Sequence, residues 1–250
     1  MILALSLAVT ACGNEAKDTK TSTEVKEEAN TDTNQNVEKK TIYASFYPIY
    51  NLTKQIAGDK FDVVSFNSLT TESHDFEPSA KEIAELSKSS LMFMNGAGME
   101  DWKDSVEESV DTEMVDTSAG LDLIKADEEA DHDHDHGEFD PHTLLSPKNA
   151  KAQAKVIADK LSEIDPANKD YYEANYEKIA AEFDSIIEEY TEKFSEVKNK
   201  KFIVPHEAFG YVARDFDLEQ IPLASLTSTA DPDAKVMKEV TDLAKAEQIK

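Results

Sequence analysis

The chain has 250 residues, with 26 Lys and Arg against 52 Asp and Glu, which gives a formal net charge of −26. This acidity, with Arg214 as the only arginine, excludes a nucleic-acid-binding protein, because phosphate contacts need clustered Lys and Arg. The single cysteine, Cys12, excludes a disulfide framework, a Cys-based zinc site and a redox pair. No apolar run reaches the roughly 18–20 residues of a membrane span, which excludes a multi-span membrane protein.

The first twelve residues have the composition of a secretory signal. Residues 1–11 (MILALSLAVTA) are apolar and end in small residues at Cys12, and the sequence VTAC resembles the bacterial lipobox, in which the cysteine is lipidated. We therefore expect a signal peptide over 1–12 and a lipid anchor on Cys12 that holds the protein at a membrane surface. A short buried segment with an incidental cysteine is the alternative. The true start of the signal stays open, because no Lys or Arg precedes the apolar run.

Residues 13–40 predict a disordered linker. The segment GNEAKDTKTSTEVKEEANTDTNQNVEKK is polar and charged, and it has too few large apolar residues to offset the entropy of ordering. We expect it to join a lipid anchor to a folded body.

The folded body begins at Thr41 and alternates strand-like and helix-like runs, which favours a parallel sheet flanked by helices. We predict an N-terminal α/β lobe over 41–164. A connecting helix over 165–200 follows, because apolar residues recur every three or four positions from Tyr172 to Val197. Asp165-Pro166 should begin this helix as N-cap and first turn, and the helix should run to Lys198. The stripe is read as core rather than as a cofactor site.

The alternation resumes over 201–250 with only two strand-like runs, too few for a stable sheet. We therefore expect a C-terminal α/β lobe that is incomplete in this chain. The fold class predicted is α/β, with two lobes joined by a long helix and a ligand cleft between them.

Three isolated histidines, His74, His142 and His206, each stand next to a strand-end or turn signal. Carboxyl ends of strands in α/β sheets face the ligand crevice, and imidazole is a ligand that suits zinc. The intervals of 68 and 64 residues mean that a shared site would be built by folding. A histidine beside a strand is often only a hydrogen-bonded polar residue, so a structural role and a metal-binding role both stay open at this point.

The other three histidines, His132, His134 and His136, alternate with aspartates in an acidic segment, about 126–139. From Glu100 to Asp140 there are 17 acidic residues against two lysines. This segment could bind divalent cations weakly and raise their local concentration near the cleft. A solvated acidic loop with no specific role is the alternative.

Five sequence blocks resemble the zinc- and manganese-receptor solute-binding proteins of bacterial ABC transporters, in the family's order from about Thr41 to Lys250. They are ASFYPIYNLTKQIAGD, ESHDFEPSA, FMNGAGMEDW, DPHTLLSPKNA and VPHEAFGYVARDFDL. The resemblance implies two Rossmann-like lobes, a rigid connecting helix and a metal in the inter-lobe cleft.

By position, the resemblance implies that His74, His142 and His206 are metal ligands. His206 favours zinc, because family members with glutamate there lean toward manganese, and the acidic His-rich segment is a mark of the zinc branch. A fourth, carboxylate ligand is expected beyond Lys250. Asp140 and Glu207 flank ligands, and we expect them to orient the imidazoles rather than to bind the metal.

The function implied is a monomeric extracytoplasmic receptor, lipid-anchored to the outer face of a cell membrane of Gram-positive type, that delivers Zn²⁺ to an ABC permease. A manganese or other divalent-metal receptor and an adhesion lipoprotein are the alternatives. A zinc hydrolase is less favoured, because the sequence has no HExxH, no GxSxG and no phosphate-binding glycine loop. We therefore predict that the protein is not an enzyme.

Overall fold

The computed structural model describes residues 39–68, 73–74, 76–126, 138–223, 234–247 and 249. Cys12, nearly all of the predicted linker, and His132, His134 and His136 lie outside the described residues. Within them, no helix has both the length and the apolar character needed to cross a membrane.

The N-terminal part is a four-stranded parallel sheet with the strand order β2-β1-β3-β4. The strands are β1 (Thr41–Ala44), β2 (Asp62–Ser65), β3 (Leu91–Met94) and β4 (Glu113–Asp116). The helices that connect them are α1 (Tyr47–Ala57), α2 (Ala80–Leu86) and α3 (Lys103–Glu107). The chain leaves β1 toward one edge of the sheet and later returns to the other side of β1, so a topological switch point lies between β1 and β3.

The central strand β3 shows why this sequence forms a sheet buried on both faces. All four of its residues, LMFM, are buried. Leu91 and Phe93 belong to one apolar cluster, and Met92 and Met94 belong to another, as the two-residue period of a strand requires. The first cluster includes side chains of α1 and of the two long helices α4 (Pro147–Ile164) and α5 (Lys169–Ser195), and the second includes side chains of α2 and α3.

The predicted long helix begins later and ends earlier than its apolar pattern suggested. Residues Pro166–Asn168 form a 3₁₀ turn, and α5 runs from Lys169 to Ser195 rather than from Pro166 to Lys198. Asp165 does precede the proline, but its side chain makes no cap bond to the backbone. Its carboxylate instead accepts hydrogen bonds from the hydroxyl of Tyr172 at 2.6 Å and from the amide of Asn168 at 2.7 Å. The carboxylate is therefore engaged by these two side chains and makes no cap bond to the helix backbone.

Beyond α5 the chain forms a smaller parallel unit. Its elements are β5 (Lys201–Val204), α6 (Gly210–Phe216), β6 (Glu219–Pro222) and α7 (Ala234–Glu247). β5 and β6 pair only with each other among the described strands. The expected α/β class, with a parallel sheet and a long helix, is confirmed, and the lobe boundaries at 164 and 200 stay predictions.

Candidate metal centre

Three histidines that are far apart in sequence meet at one point. Nε2 of His142 lies 3.1 Å from Nε2 of His74 and 3.4 Å from Nε2 of His206. The ligand-capable nitrogens of all three lie within 4.8 Å of one another. Among the described residues, this is the group of His, Cys, Asp and Glu side chains whose geometry suits a metal ion.

The spacing of these nitrogens matches a tetrahedral zinc site. A zinc–imidazole bond is about 2.0–2.1 Å, so two nitrogens on the same tetrahedral ion lie about 3.3–3.4 Å apart. The two short nitrogen–nitrogen distances are close to this value. The three nitrogens are therefore placed where they could bind one cation together.

The fold brings the histidines together at the carboxyl ends of its strands. His74 follows β2 and precedes α2, and His206 comes two residues after the end of β5. His142 follows the long excursion after β4 and stands directly before a 3₁₀ turn, Thr143–Leu145. The three line a cavity of about 230 Å³, together with Phe46, which follows β1, and Asn95, which follows β3. The cavity therefore lies at the switch point of the larger sheet, where ligands bind in open α/β folds.

Asp140 fixes the imidazole of His142. Oδ1 of Asp140 is 2.8 Å from Nδ1 of His142 and also accepts the backbone N–H of His142 at 2.9 Å. A carboxylate can only accept, so the ring must carry its hydrogen on Nδ1, which leaves the Nε2 lone pair directed at the other two histidines. Both side chains are buried, His142 with 7% of its surface exposed and Asp140 with 2%.

Glu207, the other predicted orienting residue, is half-buried and adjacent to His206. Its orienting role stays a prediction.

The acidic His-rich segment joins the fold beside the three-histidine site. The residues that flank its undescribed part, Lys125 and Phe139, form an antiparallel bridge one residue before Asp140. The backbone N–H of Asp140 donates to the carbonyl of Ile124 at 2.8 Å, which extends this bridge. The segment therefore leaves and rejoins the described chain next to the residue that orients His142.

Two residues with clear roles in holding the site were not predicted from the sequence. The hydroxyl of the fully buried Tyr211, on α6, donates to the carbonyl of Asp140 at 2.7 Å and accepts the N–H of Ile124 at 3.2 Å. Asn95, directly after β3, donates to the carbonyl of Pro141 at 2.9 Å. In sequence both residues lie within blocks that resemble the family, but nothing there indicates a partner more than 40 residues away.

A buried carboxyl group underlies the turn that carries Asn95. Glu100 accepts the backbone N–H groups of Asn95 at 2.8 Å and Gly96 at 2.9 Å. Burial disfavours its charged form and raises the pKa of Glu100 to about 7, while the two backbone N–H groups act in the opposite direction. This carboxyl group therefore titrates near neutral pH.

Comparison with known proteins places these features in one context. The family described as zinc-uptake complex component A, periplasmic (ZnuA) matches residues 42–250. The high-affinity zinc uptake system protein ZnuA of Bacillus subtilis is 35% identical over 261 aligned positions that cover 100% of this chain and 77% of that protein. The zinc-binding lipoprotein AdcA of Streptococcus pneumoniae is 34% identical over 220 positions, 84% of this chain.

The chain spans only 44% of the length of AdcA. A solved structure of the laminin-binding protein Lmb of Streptococcus agalactiae, described as a bifunctional adhesin and metal transporter, superposes with a TM-score of 0.75 at 30% identity. That superposition covers 85% of this chain and 78% of the Lmb chain.

Proposed function

The chain belongs to the ZnuA family of zinc-uptake components, and on that premise we propose that it is an extracytoplasmic receptor that captures Zn²⁺ and delivers it to an ABC permease. The convergence of His74, His142 and His206 is the observation that carries this proposal. The zinc is cargo, so the protein needs only to bind it and release it.

The donor set favours zinc over manganese. Three imidazoles suit zinc, whereas manganese prefers carboxylate, carbonyl and water oxygens. Three nitrogens leave one position of a tetrahedral ion for an oxygen ligand, which we assign to a carboxylate or a water molecule. A manganese receptor would need more oxygen donors than the described residues bring to this point.

Capture of the metal requires no covalent bond to be made or broken. Each imidazole must be neutral to bind, so zinc affinity should fall as the pH drops and protons compete for the ring nitrogens. Asp140 accepts the Nδ1 hydrogen of the neutral His142 ring, so Nε2 carries the lone pair and part of the site is already formed before zinc binds.

The N-terminal segments complete the proposal. A lipid on Cys12 would hold the protein at the outer face of the membrane, of Gram-positive type, and residues 13–40 would let the folded body reach the permease. The His132–His136 segment would bind zinc weakly and raise its concentration beside the cleft. We propose that the receptor acts as a monomer.

Calorimetric titration of the full chain with Zn²⁺ tests the proposal. We expect one tight site and additional weak binding. His142→Ala should abolish the tight phase and retain the weak one, whereas the triple variant H132A/H134A/H136A should do the reverse. A tight phase that survives His142→Ala would overturn the assignment of the site.

Adhesion is a second candidate function, favoured by the structural similarity to Lmb. Binding of the full chain to immobilised laminin, with and without His142→Ala, separates the two activities. Laminin binding that is unaffected by this substitution would show an adhesive surface distinct from the metal site. No laminin binding would leave zinc capture as the function.

A further inference from the structure

We propose that Asn95 is a positioning residue for metal capture, because its side chain holds the backbone on both sides of His142. The proposal rests on the proposed function, since it concerns the same zinc site. The side-chain hydrogen bonds of Asn95 reach neither the metal position nor an imidazole ring. Asn95 acts on His142 through its two neighbours, Pro141 and Thr143.

The amide of Asn95 uses both of its ends on the segment around the ligand. Nδ2 donates to the carbonyl of Pro141 at 2.9 Å and to the carbonyl of Gly96 at 2.8 Å. Oδ1 accepts the hydroxyl of Thr143 at 3.0 Å. One planar amide therefore fixes the residue before His142 and the residue after it, and only an amide offers a donor and an acceptor in this arrangement.

Asn95 is itself held rigidly at the end of β3. It is fully buried, and its backbone N–H donates to Glu100 at 2.8 Å. Its carbonyl accepts the backbone N–H of Ser118 at 3.1 Å and the side chain of Gln153 at 3.3 Å. The backbone of His142 is therefore held in place by the central strand β3 of the sheet, and not by the long connection that precedes His142.

This link matters because His142 stands in irregular backbone, with φ −80° and ψ 36°. Asp140 fixes the ring through Nδ1, but a rotation of the backbone would carry ring and carboxylate together away from His74 and His206. Asn95 opposes that rotation. Its two contacts thus supply the part of the ligand geometry that Asp140 does not.

Three variants separate positioning from general stability. Asn95→Ala removes both contacts, and Thr143→Val removes only the hydrogen bond to Oδ1 and keeps the shape of the side chain. Thr112→Val is the matched control. Its threonine is also buried, and its hydroxyl donates to the carbonyls of Ser89 at 2.8 Å and Leu86 at 3.0 Å, away from Asn95 and His142.

The readouts are zinc affinity by competition with a chromophoric chelator, the visible absorption spectrum of the Co²⁺-loaded protein, and thermal unfolding without metal. We expect Asn95→Ala and Thr143→Val to weaken zinc binding on the order of 10-fold and to alter the Co²⁺ spectrum, as displaced partners of ligands do. Thr112→Val should lower the unfolding temperature about as much as Thr143→Val does but should keep the zinc affinity and the Co²⁺ spectrum. If Asn95→Ala does not fold, Thr143→Val decides the question against the same control.

The positioning role would be overturned, with the receptor function left intact, if both variants had the same zinc affinity and Co²⁺ spectrum as Thr112→Val. The proposed function fails differently: the wild-type chain would then show no tight zinc phase, or His142→Ala would retain it.

Discussion

Oδ1 of Asp140 contacts His142 twice, at 2.8 Å from the ring Nδ1 and at 2.9 Å from the backbone nitrogen. One buried oxygen therefore fixes the tautomer of the ring and the start of the 3₁₀ turn that follows. The other oxygen, Oδ2, lies against α6: a Cβ added to Gly210 would come within 2.8 Å of it. The carboxylate thus fills the space between the metal ligand and the first residue of α6.

Asp140→Ala should weaken zinc binding about 10- to 100-fold, because the imidazole of His142 loses the acceptor that fixes its tautomer and orientation. Chelator competition measures the affinity. Asp165→Ala is the control, since Asp165 also accepts two side-chain hydrogen bonds but lies at the junction of α4 and α5. An equal loss of affinity in both variants would mean that Asp140 acts only through stability.

Gly96→Ala should destabilise the fold by about 3 kcal/mol, because two separate costs add. Gly96 has φ +80°, and a Cβ at this position would come 1.8 Å from Oδ1 of Asp116. Gly120 has φ +90° with no atom within 4 Å of the same point, so Gly120→Ala isolates the conformational cost at about 1 kcal/mol. Denaturant unfolding compares the two, and equal losses would contradict a steric cost at Gly96.

The parts of the fold that follow from local pattern were predictable, and those set by distant partners were not. The alternation of apolar runs predicts the parallel sheet, and the buried sequence LMFM of β3 agrees with a strand covered on both faces. The start of α5 was misplaced because Asp165-Pro166 has the form of a helix start. Only the fold shows that Tyr172 and Asn168 occupy its carboxylate.

The same distinction applies to the site. His74, His142 and His206 could be selected from their places at strand ends, but spacing could not show that their nitrogens meet. The sequence did not indicate the role of Asn95, because its partners Pro141 and Thr143 are 46 and 48 residues away and an Asn-Gly pair ordinarily indicates a turn. Residues that act on ligands through backbone contacts are visible only once the chain is folded.

Tyr211→Phe should lower both stability and zinc affinity. Burial raises the pKa of Tyr211 to about 12, so its hydroxyl stays a donor to Asp140, and its loss leaves that carbonyl and the N–H of Ile124 unpaired, at a cost of about 1–3 kcal/mol. Tyr172→Phe is the control, because Tyr172 is equally buried and donates to Asp165. Unfolding and chelator competition should show a loss of stability in both variants but a loss of affinity only in Tyr211→Phe. Unchanged affinity in Tyr211→Phe would separate α6 from the metal site.

The buried carboxyl of Glu100 should make the metal-free protein less stable as the pH rises toward 7. A salt-bridged acid has the opposite effect, because it makes a protein less stable as the pH falls. Its pKa is raised to about 7 by burial, against an ordinary value of 4.5 in the unfolded chain. The unfolded state therefore loses this proton first. The contribution of the group to the free energy of unfolding is complete below about pH 4.5 and is lost as the pH rises to about 7, by on the order of 3 kcal/mol.

Glu100→Gln removes the titration, so the stability of the wild type minus that of the variant should fall between about pH 5 and 7 when both are unfolded in denaturant. Other titrating groups cancel in this difference. Glu82→Gln is the control with the opposite sign: hydrogen bonds from Ser79 lower the pKa of Glu82, so the wild type should lose stability relative to that variant as the pH falls through the acid range. A difference for Glu100→Gln that stays constant across neutral pH would show that the carboxyl is already ionised when folded. The two backbone N–H groups of Asn95 and Gly96 would then outweigh its burial.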